Sequence, residues 1–147
     1  MPKAEFKFSF PFRVRYAEVD GQGVVFNAHY LTYFDTALGE YFRAARAKRE
    51  GEDPLSKTYF HTVRNLIEYR APIGYDAKIE VFVRASRLGR SSLTLVNEIY
   101  HEGDDKLLTF GESIWVNASP DTHKSVPLPD DFRELLQRFE GAALDDT

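Results

Sequence analysis

One stretch concentrates residue types that can act on a carbonyl: Tyr16-Ala17-Glu18-Val19-Asp20-Gly21-Gln22-Gly23-Val24-Val25-Phe26-Asn27. Asp20 lies in a loop with two glycines, seven residues ahead of Asn27, where a helix-period apolar pattern begins. The first turn of a helix leaves backbone N–H groups without intrahelical acceptors and carries a partial positive charge. On that basis the amides from about Val25 to Ala28 form an oxyanion site, and Asp20 acts on the same acyl carbonyl as base or nucleophile. A plainer role is open, because Asp-Gly sequences commonly close Asx turns. Gln22 and Asn27 either place a water or a carbonyl, or serve as a loop residue and a helix N-cap. Glu18 and Asp20 are two apart, a spacing that says nothing about the gap a paired-carboxylate mechanism requires. Glu18 is expected to accept from backbone amides or a nearby arginine.

A second group is Arg87-Leu88-Gly89-Arg90-Ser91-Ser92. Two arginines and free turn amides suit a phosphate, and they equally describe a solvated hairpin tip. The cluster Arg43, Arg46, Lys48, Arg49 reads as helix-surface charge. Other chemistries find no support. The chain has no cysteine, which removes thiol nucleophiles, disulfides and Cys-ligated metals. His29, His61, His101 and His123 show no ligand spacing, so no metal is expected. Gly21-Gln22-Gly23 lacks the third glycine of a dinucleotide fingerprint, and there is no Gly-x-Ser-x-Gly elbow. A net charge of −4 argues against nucleic acid or an anionic membrane as partner. Asn117-Ala118-Ser119 spells a sequon that Pro120 and the absence of a signal peptide reduce to chance.

These residues need a scaffold, and 147 residues at 43% hydrophobic content suffice for one domain, 1–147, with 142–147 a frayed tail. Phe6, Phe8, Phe10, Phe12, Val14 and Tyr16 alternate with polar residues as a half-buried strand does, and Pro11 marks it as an edge or a bulge. From Asn27 the period becomes helical, with Tyr30, Phe34, Ala37, Tyr41 and Ala44 on one stripe widened by Leu31, Leu38, Phe42 and Ala45. That width predicts a largely buried helix until Arg46 to Glu50 reach water. Gly39 in its middle points to close approach of another backbone. Four strands follow, Val63–Ala71, Ala77–Ala85, Leu93–His101 and Lys106–Asn117, with Trp115 as core or interface packing. Pro129 to Asp131 open a last amphipathic helix carrying Phe132, Leu135, Leu136 and Phe139, and Gly141 ends it. Hairpin-linked strands around one apolar helix make an antiparallel α+β domain. No segment is long and apolar enough to span a membrane, and a cytoplasmic location is expected.

The stretch Arg15 to Phe34 resembles the signature of the hot-dog acyl-CoA thioesterases of the 4-hydroxybenzoyl-CoA thioesterase type. The matching positions are Tyr16, Glu18, Asp20, Gly23, Val24, Val25, Phe26, Asn27, Tyr30 and Phe34. Ile67 to Pro72 and Gly74-Tyr75-Asp76 are similar to the family's second strand and the turn after it. Arg87 to Ser92 is similar to its next hairpin, and Val126 to Pro129 to its lead into the last helix. The resemblance implies a hot-dog fold: a five-stranded antiparallel sheet wrapped around a long central helix, with a C-terminal surface helix. It implies subunits paired into one continuous sheet, as a homodimer or a homotetramer of two dimers, with active sites at the interface. The implied reaction is hydrolysis of an acyl-CoA thioester to a free acid and coenzyme A, with no cofactor beyond the coenzyme A of the substrate. Asp20 takes the place of the residue that attacks the thioester or activates water. Asn27 or its neighbour supplies the amide that holds the carbonyl oxygen; many relatives carry His or Tyr at Asn27, and an amide side chain does not titrate. Gln22, Val25, Phe26 and Tyr30 fall around the acyl group, and Arg87, Arg90, Ser91 and Ser92 face the nucleotide phosphates. Tyr30, Phe34, Tyr59 and Phe60 are candidates to line an acyl tunnel. Two other readings keep the fold: a non-catalytic acyl-CoA sensor or scaffold, and an acyl thioester dehydratase, for which His29 stands in the wrong pattern.

Overall fold

A computed structural model describes residues 2–47 and 51–146. Its strands are β1 (Ser9–Arg13), β2 (Phe60–Tyr69), β3 (Lys78–Leu88), β4 (Ser92–His101), β5 (Thr109–Asn117) and the two-residue β6 (Asp145–Asp146). Two helices, α1 (His29–Ala45) and α2 (Asp130–Glu140), complete it. The sheet runs β1-β3-β4-β5-β2 and is antiparallel, except that β6 joins β3 in parallel. The five expected strands and both helices are present, with ends displaced by a few residues. The first strand is shorter than its alternation suggested. It lies at a sheet edge, where Pro11 costs no ladder hydrogen bond on the open side.

Alternation places Ile79, Val81, Val83 and Ala85 of β3 and Leu93, Leu95 and Ile99 of β4 against α1, all fully buried. From the helix come Tyr30, Tyr33, Phe34, Ala37, Leu38, Tyr41 and Phe42, an i, i+3, i+4 stripe. The helix is therefore buried along one face, not around most of its girth. Leu31 is exposed, and the aromatic ring that the sequence pattern overlooked, Tyr33, is buried. Gly39 corrects a second expectation, since a Cβ there would meet nothing within 4 Å. The close approach is at Gly111 of β5, where a Cβ would lie 2.5 Å from Cε2 of Phe34. Trp115 packs on Phe42 and Phe60, as expected of a core residue. Lys48 to Glu50, expected to carry the helix end into water, lie outside the described residues.

Helix α2 packs against α1 and β3. Phe132 and Leu136 enter the core, and Glu140 is fully buried behind Tyr41. Glu140 Oε2 accepts from the Ala85 amide at 2.9 Å and from the Tyr41 hydroxyl. Burial pushes this carboxyl above the usual range, against the pull of those two donors. Of the tail expected to fray, the described residues up to Asp146 are laid down instead, and Thr147 lies outside the described residues. Asp145 and Asp146 pair with Arg87 and Leu88, and the Asp146 carboxylate takes an ion pair from Arg133 at 2.6 Å. Among the described residues, no helix is long and apolar enough to cross a membrane.

Candidate active site

The glycine loop is built as a closed ring on the N-terminal side of α1. Val19 bridges Val25, the Asp20 amide donates to Val24 O at 2.8 Å, and Gly23 N donates to Asp20 O at 3.0 Å. Gly23 takes φ +79°, a conformation glycine supplies without steric cost. The Asx turn is real: Asp20 Oδ1 accepts the Gln22 amide at 2.8 Å. Turn and chemistry are compatible, because the turn engages one carboxylate oxygen, and Oδ2 of this half-buried side chain has no partner among the described residues. The ring is fastened to the turn after β2, where Val25 N donates to Ile73 O at 2.8 Å and Tyr75 N to Gly23 O at 3.2 Å.

Beneath the ring lies Glu18, which is buried and fully engaged. Its carboxylate accepts from the Arg15 amide at 2.8 Å, from the Arg15 guanidinium at 3.0 and 2.6 Å, and from the Tyr33 hydroxyl at 2.8 Å. Burial by itself raises this carboxyl. The Arg15 contacts and the Tyr33 hydroxyl outweigh it and hold the group below the usual carboxylate range. The expectation that Glu18 accepts from a backbone amide and an arginine is met by one residue, Arg15, in both capacities.

The amides expected to be free divide into two pairs. Val25 N is spent on Ile73 O and Phe26 N on Glu18 O, so these two do not serve an oxyanion. The amides of Asn27 and Ala28 have no acceptor among the described residues. The helix also begins later than its pattern suggested: it starts at His29 with Ala28 as N-cap, and the Asn27 side chain caps nothing. Asn27 stands in a turn closed by His29 N donating to Phe26 O at 2.9 Å, and its carbonyl accepts from the Tyr69 hydroxyl at 3.2 Å.

Asn27 borders a cavity of about 280 Å³, lined also by Val24, Val25, Tyr30, Tyr69, Arg70, Ala71 and Pro72. Tyr30 and Tyr69 meet edge to face at 5.0 Å and form an aromatic wall. Around the same end Tyr16, Phe26 and Tyr75 are exposed, with Tyr16 and Tyr75 in edge contact at 5.9 Å. Asp20 does not itself line the cavity; the loop that carries it does so through Val24, Val25 and Asn27.

Comparison with known proteins gives the family of the chain. The profile of the Thioesterase superfamily matches residues 22–108, more than half of the chain. The chain belongs to the thioesterase superfamily. It is 27% identical to the acyl-CoA thioester hydrolase YbgC of Escherichia coli over 123 residues, 83% of this chain and 90% of that protein. It is 27% identical to the acyl-CoA thioesterase YbgC of Helicobacter pylori over 134 residues, covering 84% and 96%. Among solved structures, a thioesterase from Thermus thermophilus complexed with coenzyme A and Zn superposes with a TM-score of 0.79 at 27% identity. That alignment covers 95% of this chain and 98% of the other. The hot-dog architecture expected of the sequence is thereby established.

Within one thioesterase chain the two halves of the expected site are not together. The cavity lies at the end of the sheet where Tyr69 faces Thr109 and Ile79 faces His101. Arg87, Arg90, Ser91 and Ser92 lie at the other end, where Phe60 faces Asn117 and Leu88 faces Leu93. Arg87 pairs with Asp145 at 3.8 Å, while Arg90 is exposed. Of the four expected tunnel residues only Tyr30 lines the cavity. Phe34 packs over Gly111, and Tyr59 and Phe60 belong to the far end, Phe60 lying tilted against Trp115 and Phe132. Gln22 is exposed and contributes its amide to Asp20. Tyr69, Arg70, Ala71 and Pro72 were missed as site residues. Their signal was the strand-ending Arg-Ala-Pro, where the chain turns back beside the glycine loop. Among the described residues no three His, Asp or Glu side chains converge as metal ligands.

Proposed function

We propose that this thioesterase hydrolyses an acyl-CoA ester, with Asp20 as general base and the Asn27 and Ala28 amides as oxyanion donors. The observation that carries the reading is the glycine ring itself. It holds Asp20 by one oxygen, leaves the other open, and ends in two unspent amides, of which that of Asn27 belongs to a residue lining an aromatic-walled cavity. In the forward step, Asp20 Oδ2 takes a proton from water as the water oxygen adds to the thioester carbon. The displaced carbonyl electron pair becomes an oxyanion facing the two amides. Collapse re-forms the carbonyl, the C–S bond breaks with its electrons on sulfur, and the Asp20 proton passes to the thiolate. Because thiolate is a good leaving group, no further acid is required at Asn27. No metal or organic cofactor enters this scheme.

The nucleotide half of the substrate calls for a second subunit. Strand β2 has an open edge among the described residues and exposes Val63, Leu66 and Tyr69. Two-fold antiparallel pairing of β2 with its copy sets the Tyr69 end of one chain beside the Phe60 end of the other. The partner's Arg87–Ser92 hairpin then lies about three strand spacings, roughly 14 Å, from the cavity. This geometry supports a homodimer, or a tetramer of two such dimers, with Arg87, Arg90, Ser91 and Ser92 serving the phosphates of the neighbour's substrate. A cytoplasmic location is part of the same proposal.

The test is thiol release from benzoyl-, phenylacetyl-, short-chain and long-chain acyl-CoA, with Asp20→Asn beside the wild type. Turnover that collapses in the variant is expected. Turnover untouched by the variant overturns Asp20, and acyl-CoA binding without thiol release makes the protein a sensor.

A further inference from the structure

Glu18 occupies a position that the reaction itself does not use. Its backbone carbonyl accepts the Phe26 amide at 2.9 Å, closing the ring that begins at Val19. Its carboxylate faces the opposite way, into Arg15 and the Tyr33 hydroxyl, and is only 6% exposed. Tyr33 lies on the first turns of α1, whose N-terminal side presents the Asn27 and Ala28 amides. One residue therefore touches both ends of the loop and the helix. Asp20 is two residues beyond it in the chain, and the unspent amides begin immediately after its bonding partner Phe26. A displacement of about 1 Å between base and oxyanion donors is enough to cost a hundredfold in rate.

We infer that Glu18 is a positioning residue: clamped by Arg15 and Tyr33, it fixes the separation between the Asp20 carboxylate and the Asn27 and Ala28 amides. The inference rests on the reading of Asp20 as base and deepens it. The clamp uses a charge where a neutral group would not do, because all the donors converge on two oxygens. A glutamine keeps the shape but turns an N–H2 toward the Arg15 guanidinium or the Tyr33 hydroxyl.

The experiment compares wild type, Glu18→Gln, Tyr33→Phe and the double variant on whichever of the four acyl-CoA esters turns over fastest, with Asp20→Asn as control. E18Q is expected to lower kcat by about tenfold to a hundredfold while KM stays within about twofold. Y33F should lower kcat less, and adding it to E18Q should cost nothing more, since the two act through one contact. Amide hydrogen exchange supplies the second readout, independent of turnover. In E18Q and Y33F the Asp20 and Phe26 amides should exchange at least about tenfold faster, while α1 and β3 amides keep their wild-type rates. A kcat unchanged in both variants, additive losses, or unchanged exchange at Asp20 and Phe26 overturns the clamp. So does faster exchange throughout the core, which marks a merely structural role. If E18Q does not fold, Y33F decides by the same readouts. Absent wild-type turnover, or D20N matching wild type, counts against Asp20 as base, and the exchange rates then decide the clamp alone.

Discussion

Gly111→Ala is a one-carbon change whose consequence follows from the packing of β5 on α1. The added Cβ would stand 2.5, 2.8 and 3.3 Å from Cε2, Cζ and Cδ2 of Phe34, against a comfortable carbon–carbon separation of about 3.5–4.0 Å. The ring must retreat by about 1 Å, yet it is 3% exposed and packed among other buried side chains. Overpacking of this kind costs about 1–3 kcal/mol. An unfolding entropy of about 2.1 cal/mol/K per residue gives about 0.3 kcal/mol/K for a chain of this length. One kcal/mol therefore moves the midpoint by about 3 °C, and G111A should melt about 3–9 °C below wild type. Near-UV circular dichroism melts read this directly. Phe34→Leu removes the ring, so in the G111A background it should be tolerated far better than in wild type, a coupling of about 1 kcal/mol or more. Phe34 lies one helical turn after Tyr30, the cavity wall, so G111A should also raise KM. An unshifted or higher midpoint in G111A, or additive losses in the double variant, would refute the packing argument.

Three further outcomes are expected. Glu140 titrates higher in the folded chain than in the unfolded one, near 4.3. The wild type should therefore lose stability as pH rises through that window, by at most about 1.4 kcal/mol per pH unit. Glu140→Gln does not titrate, so its midpoint should gain on the wild type between pH 4 and 8; a gap constant with pH contradicts the assignment. Val63→Lys puts a charge on the open edge of β2 and should give monomers by light scattering, with activity lost alongside; an active monomer would sink the composite site. Arg87→Ala and Arg90→Ala should each raise KM for a coenzyme A ester about tenfold, the worth of a charge-assisted hydrogen bond. The matching N-acetylcysteamine thioester, which has no phosphates, should be hydrolysed unchanged.

Element type and order were legible because each element repeats a period: two in Ile79, Val81 and Val83, between three and four in Tyr30, Phe34 and Ala37. Contacts that bring distant residues together were not. The glycine that accommodates a close neighbour is Gly111, inside a strand, where the ring of Phe34 arrives from another element. Gly39 sits on the open side of its helix. The Asx turn and the carboxylate chemistry of Asp20 looked like rivals, because a sequence does not show which of two oxygens a turn engages. Likewise the amides of Val25 and Phe26 looked as free as those of Asn27 and Ala28 until Ile73 and Glu18 were seen to accept from them. The tail from Ala142 reads as short and frayed, yet Asp146 finds Arg133 and Asp145 finds Arg87 across the fold. The Tyr69-to-Pro72 wall was missed because its membership depends on where the chain turns, and not on any residue type of special reactivity.

The two margins of the sheet are unequal, and that inequality limits how the molecule can polymerise. On the β3 side, β1 covers Lys78 to Phe82 and carries Pro11, while β6 covers Arg87 and Leu88. On the other side β2 runs for ten residues, paired to β5 within and with no outer neighbour among the described residues. A ribbon with one adhesive margin saturates after a single addition, because the newcomer's own adhesive margin is consumed in joining. Growth into a filament needs a second adhesive margin on each unit, which proline and the folded-back terminus deny. Strand addition through β2 therefore has a built-in stop, and a variant that strips away β6 and replaces Pro11 would lose it.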